Sequence, residues 1–520
     1  MKGIGKFIEN IESESLKRAF LTLFSWMFLR IFVEGVFEAS HRIGYLAFSY
    51  KALVIYFVHY PAFYLSLFLV ITLITALITK IDIRKVTSVY SYGFGLILLV
   101  PLIDWMIGGG YTITYPLRIE PYLVSSLNPF TSIIEYGGSP GQRIIFFFIC
   151  LLITLYAICK TRKILISITL FFISYCIIIL LGGLPTIIAG NKPESLFITG
   201  GILYSDTQKF ASIFLLLLVF AIVVYLFLME KKKFKLIMNS LRLERAAFYG
   251  GIGIFGLLLA LHQQTVTVQQ SLPFVFDRIG ILVLWLTLAL GFQGAAAIND
   301  FFDIESDNLT RSRNPLTQGL DKNYYLYWTA FIICLALGLS LLLNYVSFLI
   351  MSALIFLSIL YSVPPVRLKR IPIVSSFILA VATVFSMTLG FSLLTGNRAL
   401  NLMPSTILIP TLIGITLGFC AKDIRDVKGD RTSHVITIPV FFSRLHGPWS
   451  RLPIALIIGS SYLIYAIFIK QLFIGSLVAS IVTILYIMVT KKVHEWFYFL
   501  LLYGYGGYLI YMLDKLPVLM

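Results

Sequence analysis

Two acidic clusters in the sequence each follow a long apolar run. The first contains Asn299, Asp300, Asp303 and Asp307 within "AINDFFDIESDNLT". On a helix, residues three or four positions apart share a face, so these side chains are predicted to form one polar stripe. Glu305 points elsewhere and is less suited to belong. Carboxylates this close repel each other and are costly to desolvate. A divalent cation bound between them would remove both costs.

The second cluster lies in "AKDIRDVKGDR", where Asp423, Asp426 and Asp430 have helical spacing. Basic residues alternate with these acids, and Lys422 is the first of them. A single acidic cluster is as easily a solvated turn as a binding site. Two clusters, each at the end of an apolar segment, favour a common ligand.

The residue types in the two clusters narrow the chemistry. Hard oxygen ligands without His or Cys favour Mg²⁺ over zinc. Protein-bound Mg²⁺ is usually held by one or two carboxylates together with substrate phosphates and water. Two such sets with Lys and Arg between them would clamp a diphosphate. A diphosphate in so apolar a protein indicates a lipid leaving group such as an isoprenyl chain, whose departing charge the metal would neutralise.

The segments that must position these clusters are those of a membrane protein. Of the 520 residues, 59% are hydrophobic and 12% are charged, whereas a soluble domain has about 25% charged residues. Apolar runs of about 20 residues recur along the chain, which predicts an all-α polytopic membrane fold. The opening residues lack the pattern of a cleaved signal peptide, so none is expected. The five cysteines form no CxxC pair, and neither a disulfide framework nor a zinc site is predicted.

The positive charge of the chain is assigned to its loops. The formal net charge is +17, and basic cytoplasmic loops that face anionic lipid account for such an excess in a membrane protein. Nucleic acid is therefore not an expected partner; the lipid bilayer is. The second half contains nine apolar spans, and the loops after its even-numbered spans hold most of its Lys and Arg. The positive-inside rule predicts a multi-pass protein of the cell membrane with both acidic clusters on the cytoplasmic side.

The first half carries no motif that assigns a chemistry. Its apolar runs lie near 61–79, 87–105, 144–159, 164–183 and 210–229. The basic segment 230–248 is the best candidate boundary. It predicts an N-terminal membrane domain over 1–239, with about five to seven helices, and a second domain over 240–520. The first domain could bind a partner or present a lipid, and a simple packed external cap is an equal alternative.

A charged stripe precedes the first of these apolar runs. Arg30, Glu34, Glu38 and His41 have helical spacing and share one face. Such a stripe can form a buried polar site in the bilayer. The favoured interpretation is a tilted or interfacial helix whose stripe meets water or a neighbour.

The segment 240–515 resembles the UbiA-type intramembrane prenyltransferases. That family has NDxxDxxxD after its second span and DxxDxxxD after its sixth, and both patterns are complete here. The "LYSVPPVRLKRIP" at 360–372 resembles the family's YSxPPxRLK segment, and the "TIP" at 437–439 resembles the TLP that often follows the second motif. The resemblance implies a nine-helix transmembrane bundle, preceded here by the additional N-terminal domain. The N-terminal half resembles no family that we recognise.

The resemblance also implies an activity. The enzyme would transfer a prenyl group, with geranylgeranyl as a candidate, from a prenyl diphosphate to a lipophilic acceptor and would require Mg²⁺. A glyceryl phosphate ether-lipid precursor is the favoured acceptor because the second motif is rich in basic residues, and an aromatic quinone precursor is the alternative. A membrane transporter that uses the acidic clusters for ions is an alternative of another class. Transporter sites, however, concentrate at the bilayer midplane and not at span ends. No protein partner is indicated.

The functional residues of the family carry over to the positions that match its motifs. The implied metal ligands are Asn299, Asp300, Asp303, Asp307, Asp423, Asp426 and Asp430. The implied diphosphate-binding residues are Arg311, Arg367, Lys369 and Lys422. The expected catalytic residues are Asp300, Asp303, Asp423, Asp426 and Tyr361, with Tyr361 near the allylic carbon. This chain departs from the family at 313–315, where it has "RNP" instead of "NRP", so Arg313 ranks below Arg311 as a diphosphate ligand.

Overall fold

Helices make up the regular structure of this chain. The structure is a computed structural model. It describes residues 2–37, 49–108, 115–128, 138–190, 192–264, 275–310, 313–371, 373–424, 427, 437–442, 451–490, 493–513 and 515. These residues form α-, 3₁₀- and π-helices and no strand, which confirms the predicted all-α fold.

Many of the helices are suited to a membrane. In the described part of the chain, 11 helices are long and apolar enough to cross a bilayer. Two shorter apolar helices, Ser405–Ala421 and Leu452–Phe468, accompany them. Because a spanning helix needs about 20 mainly apolar residues, these elements confirm the predicted multi-pass membrane protein.

The chain divides into two compact units. The N-terminal unit comprises Met1–Phe234 with Phe274–Phe276, and the C-terminal unit comprises Lys235–Pro273 with Asp277–Met520. Both acidic clusters of the sequence belong to the C-terminal unit.

The N-terminal unit consists of long apolar helices joined by shorter ones. Its helices are Lys2–Glu12, Leu16–Phe37, Tyr50–Val54, Ile55–His59, Tyr60–Thr79, Ile83–Gly93, Phe94–Leu98, Leu99–Gly108, Ile119–Ser126, Pro140–Thr161, Ile164–Ala189, Pro193–Leu196 and Asp206–Met229. Ile55–His59 is π-helical, and Phe94–Leu98 and Pro193–Leu196 are 3₁₀ helices. The apolar runs noted in the sequence fall within these helices.

The charged stripe of the first half forms a buried ion pair. Arg30 and Glu34 are both 0% exposed, and Arg30 Nη1 donates to Glu34 Oε2 over 2.6 Å. The Tyr60 hydroxyl, from a neighbouring helix, donates to the other carboxylate oxygen over 2.7 Å. The described part of the stripe, Arg30 and Glu34, therefore meets a neighbouring helix and not water. Glu38 and His41 lie outside the described residues.

The C-terminal unit contains the nine helices that correspond to the nine predicted spans. Along its described residues, the helices are Lys231–Ser240, which crosses the unit boundary, Leu243–Gln264, Val275–Phe302, Ile304–Thr310, Lys322–Leu343, Tyr345–Ser362, Leu368–Arg370, Val374–Thr395, Gly396–Arg398, Ala399–Leu402, Ser405–Gly418, Phe419–Ile424, Ile438–Phe442, Leu452–Phe468, Lys470–Leu472, Phe473–Val489 and Glu495–Leu513. The three-residue segments and Phe419–Ile424 are 3₁₀ helices.

Two helices of this unit cross with their backbones in contact. A Cβ atom at Gly256 would lie 1.9 Å from the carbonyl oxygen of Met387, and one at Gly390 would lie 1.8 Å from that of Gly253. Small residues allow membrane helices to approach this closely and gain van der Waals contact. Leu243–Gln264 is thereby fixed against Val374–Thr395.

Candidate active site

The first acidic motif lies across a helix end. Val275–Phe302 carries Asn299 and Asp300 in its last turn, Asp303 interrupts the helix, and Ile304–Thr310 carries Asp307. The Asn299 Nδ2 atom donates to Asp303 Oδ2 over 2.6 Å, and the Asp307 amide donates to the Asp303 carbonyl over 2.8 Å. The predicted i, i+4 relation is therefore kept through the interruption.

Asp303 is paired with two cations from the segment that follows the fourth span. Arg367 Nη2 donates to Asp303 Oδ1 over 2.9 Å, and Lys369 Nζ donates to the same oxygen. The exposed fractions of the three side chains are between 15% and 19%. The structure thus brings Asp303 together with Arg367 and Lys369, which lie 64 and 66 positions later in the sequence. The sequence had placed all three residues in one site.

Asn299 joins the same cluster through its amide oxygen. Lys369 Nζ donates to Asn299 Oδ1 over 2.7 Å, and the Ser362 hydroxyl donates to it over 3.1 Å. Ser362 is buried at the end of Tyr345–Ser362. An amide and a hydroxyl therefore hold the cations and the carboxylate in a fixed arrangement.

The backbone at Arg367 turns the basic segment toward the first motif. Arg367 has a φ of 38°, in the left-handed region that non-glycine residues seldom adopt. Its guanidinium also donates to the Phe302 carbonyl over 2.9 Å, which is one of the carbonyls left without an intrahelical partner at the end of a helix. A cation at this end of a helix is favoured by the helix dipole as well.

The ammonium of Lys369 is held in a low-dielectric setting outside the spanning helices. Burial lowers the pKa of Lys369 from its usual value, and the adjacent Asp303 carboxylate opposes that shift. The partner thus helps to keep the ammonium charged where desolvation disfavours the charge.

Asp300 has different partners from the rest of the motif. Arg242 Nη2 donates to Asp300 Oδ1 over 2.6 Å, and the Tyr325 hydroxyl donates to Asp300 Oδ2 over 2.8 Å. Asp300 is only 2% exposed. Neighbouring residues of an α-helix differ by about 100° in direction, so Asp300 leaves the line of Asn299 and Asp303. The predicted single stripe is therefore divided in two.

Asn314 connects the two parts of the motif. Its Nδ2 atom donates to the Asp300 carbonyl and to Asp307 Oδ2, each over 2.8 Å. It is 1% exposed, whereas the preceding Arg313 is exposed. In the "RNP" segment the asparagine, and not Arg313, is the residue that contacts the acidic motif.

This pairing of an NDxxDxxxD helix end with a YSxPPxRLK segment is matched by a known family. The sequence profile of the UbiA prenyltransferase family matches residues 254–496. These residues belong to the UbiA prenyltransferase family. The protein is an intramembrane prenyltransferase, as the resemblance predicted, and no family profile matches its N-terminal half.

Several proteins with assigned names are similar in sequence to the UbiA region. Digeranylgeranylglyceryl phosphate synthase of Thermococcus gammatolerans is 28% identical over 206 residues, which cover 39% of this chain and 67% of that protein. A probable homogentisate phytyltransferase 2 of Oryza sativa is 28% identical over 178 residues, which cover 30% of this chain and 46% of that one. A solved structure of a UbiA homologue from Archaeoglobus fulgidus bound to GPP and Mg²⁺ covers 53% of this chain and 98% of its own, with 18% identity and a TM-score of 0.40.

The remaining predicted residues of the UbiA domain fall partly outside the described chain. Tyr361 lies half-buried in the last turn of Tyr345–Ser362, next to Ser362. The backbone of Lys422 and Asp423 belongs to Phe419–Ile424, but their side chains are not described. The predicted residues that lie outside the described part of the chain are Arg311, Asp426 and Asp430. Their roles stay predictions, while Glu305 is exposed and not part of the cluster.

The donor set of the first motif fits a hard cation. The described oxygen donors on the Asp303 side are the Asn299 amide and the carboxylates of Asp303 and Asp307, without a thiolate or an imidazole. Carboxylate and amide oxygens suit Mg²⁺. Among the described residues no group of three or more His, Cys, Asp or Glu is placed to hold a metal. The first motif therefore supplies part of a shell to which substrate phosphates, water and the second motif would add ligands.

Sequence reasoning missed Arg242, Tyr325 and Asn314. Arg242 lies in the short link between Lys231–Ser240 and Leu243–Gln264, where a basic residue has the ordinary explanation of a membrane-surface charge. It reaches Asp300 across 58 positions of sequence, so no local spacing could indicate the pair. The sequence did carry a signal for Asn314, because the "RNP" segment places a carboxamide side chain, which can donate and accept hydrogen bonds, in the loop after the acidic motif.

Proposed function

We propose that the UbiA domain transfers a geranylgeranyl group from its diphosphate to the hydroxyl group of a glyceryl phosphate lipid, with Mg²⁺ bound by the acidic motifs. The observation that carries this proposal is the joint pairing of Asp303 with Arg367 and Lys369 at one helix end. Two cationic side chains can bind the phosphate oxygens, and the nearby carboxylate and amide oxygens can bind Mg²⁺, so the cluster suits a metal-bound diphosphate.

The residues of the first motif would bind and orient the diphosphate. Arg367 and Lys369 now share a single carboxylate oxygen as acceptor. A diphosphate oxygen can take the place of that carboxylate without loss of charge-assisted hydrogen bonds. Asn299, Asp303 and Asp307, with Asp423, Asp426 and Asp430 of the second motif, would hold the metal. Bound Mg²⁺ would neutralise the negative charge that develops on the leaving diphosphate.

The reaction balances as a substitution at the allylic carbon. The bond between this carbon and the diphosphate oxygen breaks, and the diphosphate leaves with the electron pair. The acceptor hydroxyl oxygen then forms an ether bond to the carbon and releases its proton. The apolar spans exclude water that would otherwise capture the carbocation. Tyr361, which is half-buried and precedes Ser362 in the sequence, would stabilise positive charge through its π-face.

The acceptor is the part of the proposal that rests on the relatives. Digeranylgeranylglyceryl phosphate synthases recur among the similar sequences, and that of Thermococcus gammatolerans is one of them. The basic residues of the second motif also favour a phosphorylated acceptor. The rice homologue, by its name, supports an aromatic acceptor as the second candidate.

A product assay with matched acceptors tests the proposal. The purified full-length protein would be incubated with Mg²⁺, geranylgeranyl diphosphate and one acceptor at a time: a geranylgeranylglyceryl phosphate, the same lipid without phosphate, or homogentisate. We expect an ether product by mass spectrometry with the phosphorylated lipid alone, and none in EDTA. Prenylated homogentisate as the main product would replace the lipid acceptor by the aromatic one, and product formation in EDTA would contradict the role of the metal.

A further inference from the structure

Arg242 contacts the first acidic motif from outside the region that the family profile matches. It lies in the link between Lys231–Ser240 and Leu243–Gln264, whereas the profile begins at residue 254. Its Nη2 atom donates to Asp300 Oδ1 over 2.6 Å. The side chain of Arg242 is 28% exposed and that of Asp300 is 3% exposed. A basic residue at a membrane surface usually meets lipid and water, so its pairing with a buried carboxylate indicates a more specific role.

The backbone and the side chain of Arg242 are held by the same helix. The Arg242 amide donates to Gln293 Oε1 over 3.4 Å, and its guanidinium donates to Asp300. Gln293 and Asp300 both belong to Val275–Phe302, and their i, i+7 spacing places them on one face of that helix. Arg242 therefore contacts two successive points along the face of the helix that carries the first motif.

Apolar packing holds the segment that precedes Arg242 against the same helix. Ile237, near the end of Lys231–Ser240, is 1% exposed and belongs to a buried cluster that includes Ala297 and Tyr325. The hydroxyl of this tyrosine donates to Asp300 Oδ2 over 2.8 Å. The carboxylate is thus bound on one oxygen by the link and on the other by a residue that packs against the segment before the link.

Asp300 connects this support to the residues proposed to bind the diphosphate. Those residues are Asn299, Asp303, Arg367 and Lys369, here called the diphosphate cluster. Asp300 directly follows the first member of the cluster in the sequence. Asn314 Nδ2 donates both to the Asp300 carbonyl and to Asp307 Oδ2, each over 2.8 Å, so the backbone of Asp300 is fixed as well as its side chain. A shift of Asp300 would therefore displace the adjacent amide and carboxylate from the two cations.

We propose that Arg242 is a positioning residue of prenyl transfer, which through Asp300 keeps the diphosphate cluster in its arrangement. In the described part of the chain its guanidinium donates to Asp300 and to no member of the cluster, so its effect is transmitted through the helix. Misplacement of a reacting group by about 1 Å can lower a rate roughly 100-fold. The inference rests on the proposed role of the cluster in diphosphate binding and is independent of the identity of the acceptor.

Steady-state kinetics of the full-length protein test the positioning role. The protein is assayed with Mg²⁺, geranylgeranyl diphosphate and whichever of geranylgeranylglyceryl phosphate and homogentisate gives product with the wild type. We expect Arg242→Gln to lower kcat by roughly 10- to 100-fold and to leave the KM for geranylgeranyl diphosphate nearly unchanged, because no diphosphate ligand is lost. Lys235→Gln removes a charge from an exposed position of Lys231–Ser240 and should turn over as the wild type does. Wild-type kcat for Arg242→Gln, or an equal loss for Lys235→Gln, would overturn the proposal.

A double variant tests whether Arg242 acts through Asp300. If it does, Arg242→Gln combined with Asp300→Asn should have the kcat of Asp300→Asn alone, since the partner is already removed. This comparison does not require Arg242→Gln to fold by itself, because neither protein retains the desolvated carboxylate. A double variant slower than Asp300→Asn would overturn the proposal.

Hydrogen exchange followed by mass spectrometry gives a measurement that needs no acceptor. Arg242→Gln should speed amide exchange in Ile304–Thr310 by roughly tenfold, because the helix end loses a charge-assisted contact, and should leave Val374–Thr395 as protected as in the wild type. Equal acceleration in both segments would mean a general loss of stability and would overturn the positioning role, as would unchanged exchange in Ile304–Thr310. If neither acceptor reacts with the wild type, the proposed function fails, and hydrogen exchange alone decides the role of Arg242.

Discussion

Asp303 is the residue at which the charges of the UbiA site converge. It contacts Asn299, Arg367 and Lys369 and, as a proposed metal ligand, cannot be replaced by a neutral side chain of similar shape. We expect Asp303→Asn to lower prenyl transfer by roughly 100-fold or more, the loss typical of a missing transition-state charge interaction. Glu305→Gln changes an exposed carboxylate two positions away and should retain normal turnover. Equal rates for both variants in the product assay would contradict the assignment.

Lys369 should contribute to the binding of the diphosphate substrate, whereas its exposed neighbour Arg370 should not. Lys369→Met removes a buried ammonium beside Asp303, whereas Arg370→Gln removes an exposed charge one position later. We expect Lys369→Met to raise the KM for geranylgeranyl diphosphate by about tenfold or more, because hydrogen bonds to charged groups contribute about 1.5–3 kcal/mol. Arg370→Gln should leave the KM unchanged. A change in KM of the same size for both would mean that the segment acts only through net charge.

Arg242 should stabilise the fold through Asp300. Asp300 is buried, with a side chain 3% exposed, whereas Arg242 is 28% exposed. Removal of Arg242 would leave the desolvated carboxylate without compensation, at a cost of about 1–3 kcal/mol. Arg242→Gln should therefore lower the midpoint of thermal unfolding in detergent, and the addition of Asp300→Asn should recover part of the loss. If the losses of the two single variants simply added in the double variant, the two side chains would be independent, and the Asp300 carboxylate would depend on the Tyr325 hydroxyl instead.

What the sequence could predict at this scale depended on spacing. Asn299 and Asp303 stay neighbours because four positions complete about one helical turn. The basic segment at 360–372 was recognisable by its residue pattern. The direction of Asp300 was not predictable, because its partners Arg242 and Tyr325 come from other helices. Spacing along one chain segment specifies a face but not what packs against it.

At the scale of helices, the sequence predicts the spans well and their contacts poorly. The nine apolar runs of the second half became helices because a backbone in lipid must satisfy its hydrogen bonds internally. Hydropathy does not predict which helices contact each other, and the presence of a glycine does not predict it either. Only the structure distinguishes Gly256, which faces the Met387 carbonyl, from Gly251, whose added Cβ would lie 3.8 Å from the Tyr503 ring.

These two glycines of Leu243–Gln264 form a matched pair for a stability test. Gly256→Ala would place a methyl group 1.9 Å from a backbone oxygen, which cannot move as a side-chain tip can. We expect a loss of about 1–3 kcal/mol, as for other overpacked positions. Gly251→Ala meets an ordinary contact distance and should be neutral or stabilise by up to about 1 kcal/mol, the helix propensity difference. Thermal unfolding of both variants measures the contrast, and equal midpoints would contradict a backbone-to-backbone crossing.

At the scale of the whole chain, the residues proposed for transfer all lie in the C-terminal unit. The described cluster runs from Arg242 to Lys369, and the second motif follows at 423–430. A cavity of about 590 Å³ is lined, among the described residues, by the N-terminal unit alone. The sequence could not predict this cavity, because its lining comes from helix ends and loops that share no spacing. The two units can therefore be tested in separate experiments.

A truncation that removes residues 1–234 should show whether the C-terminal unit transfers the prenyl group by itself. The remaining chain begins at the first residue of the C-terminal unit and keeps Arg242, so Asp300 retains its ion-pair partner. We expect the purified fragment to form the ether product from geranylgeranyl diphosphate with the KM of the full-length protein. Asp303→Asn in the fragment would serve as the inactive control. A folded fragment, shown by a cooperative thermal transition, that forms no product would mean that the N-terminal unit takes part in transfer, either by delivering a substrate or by completing the site.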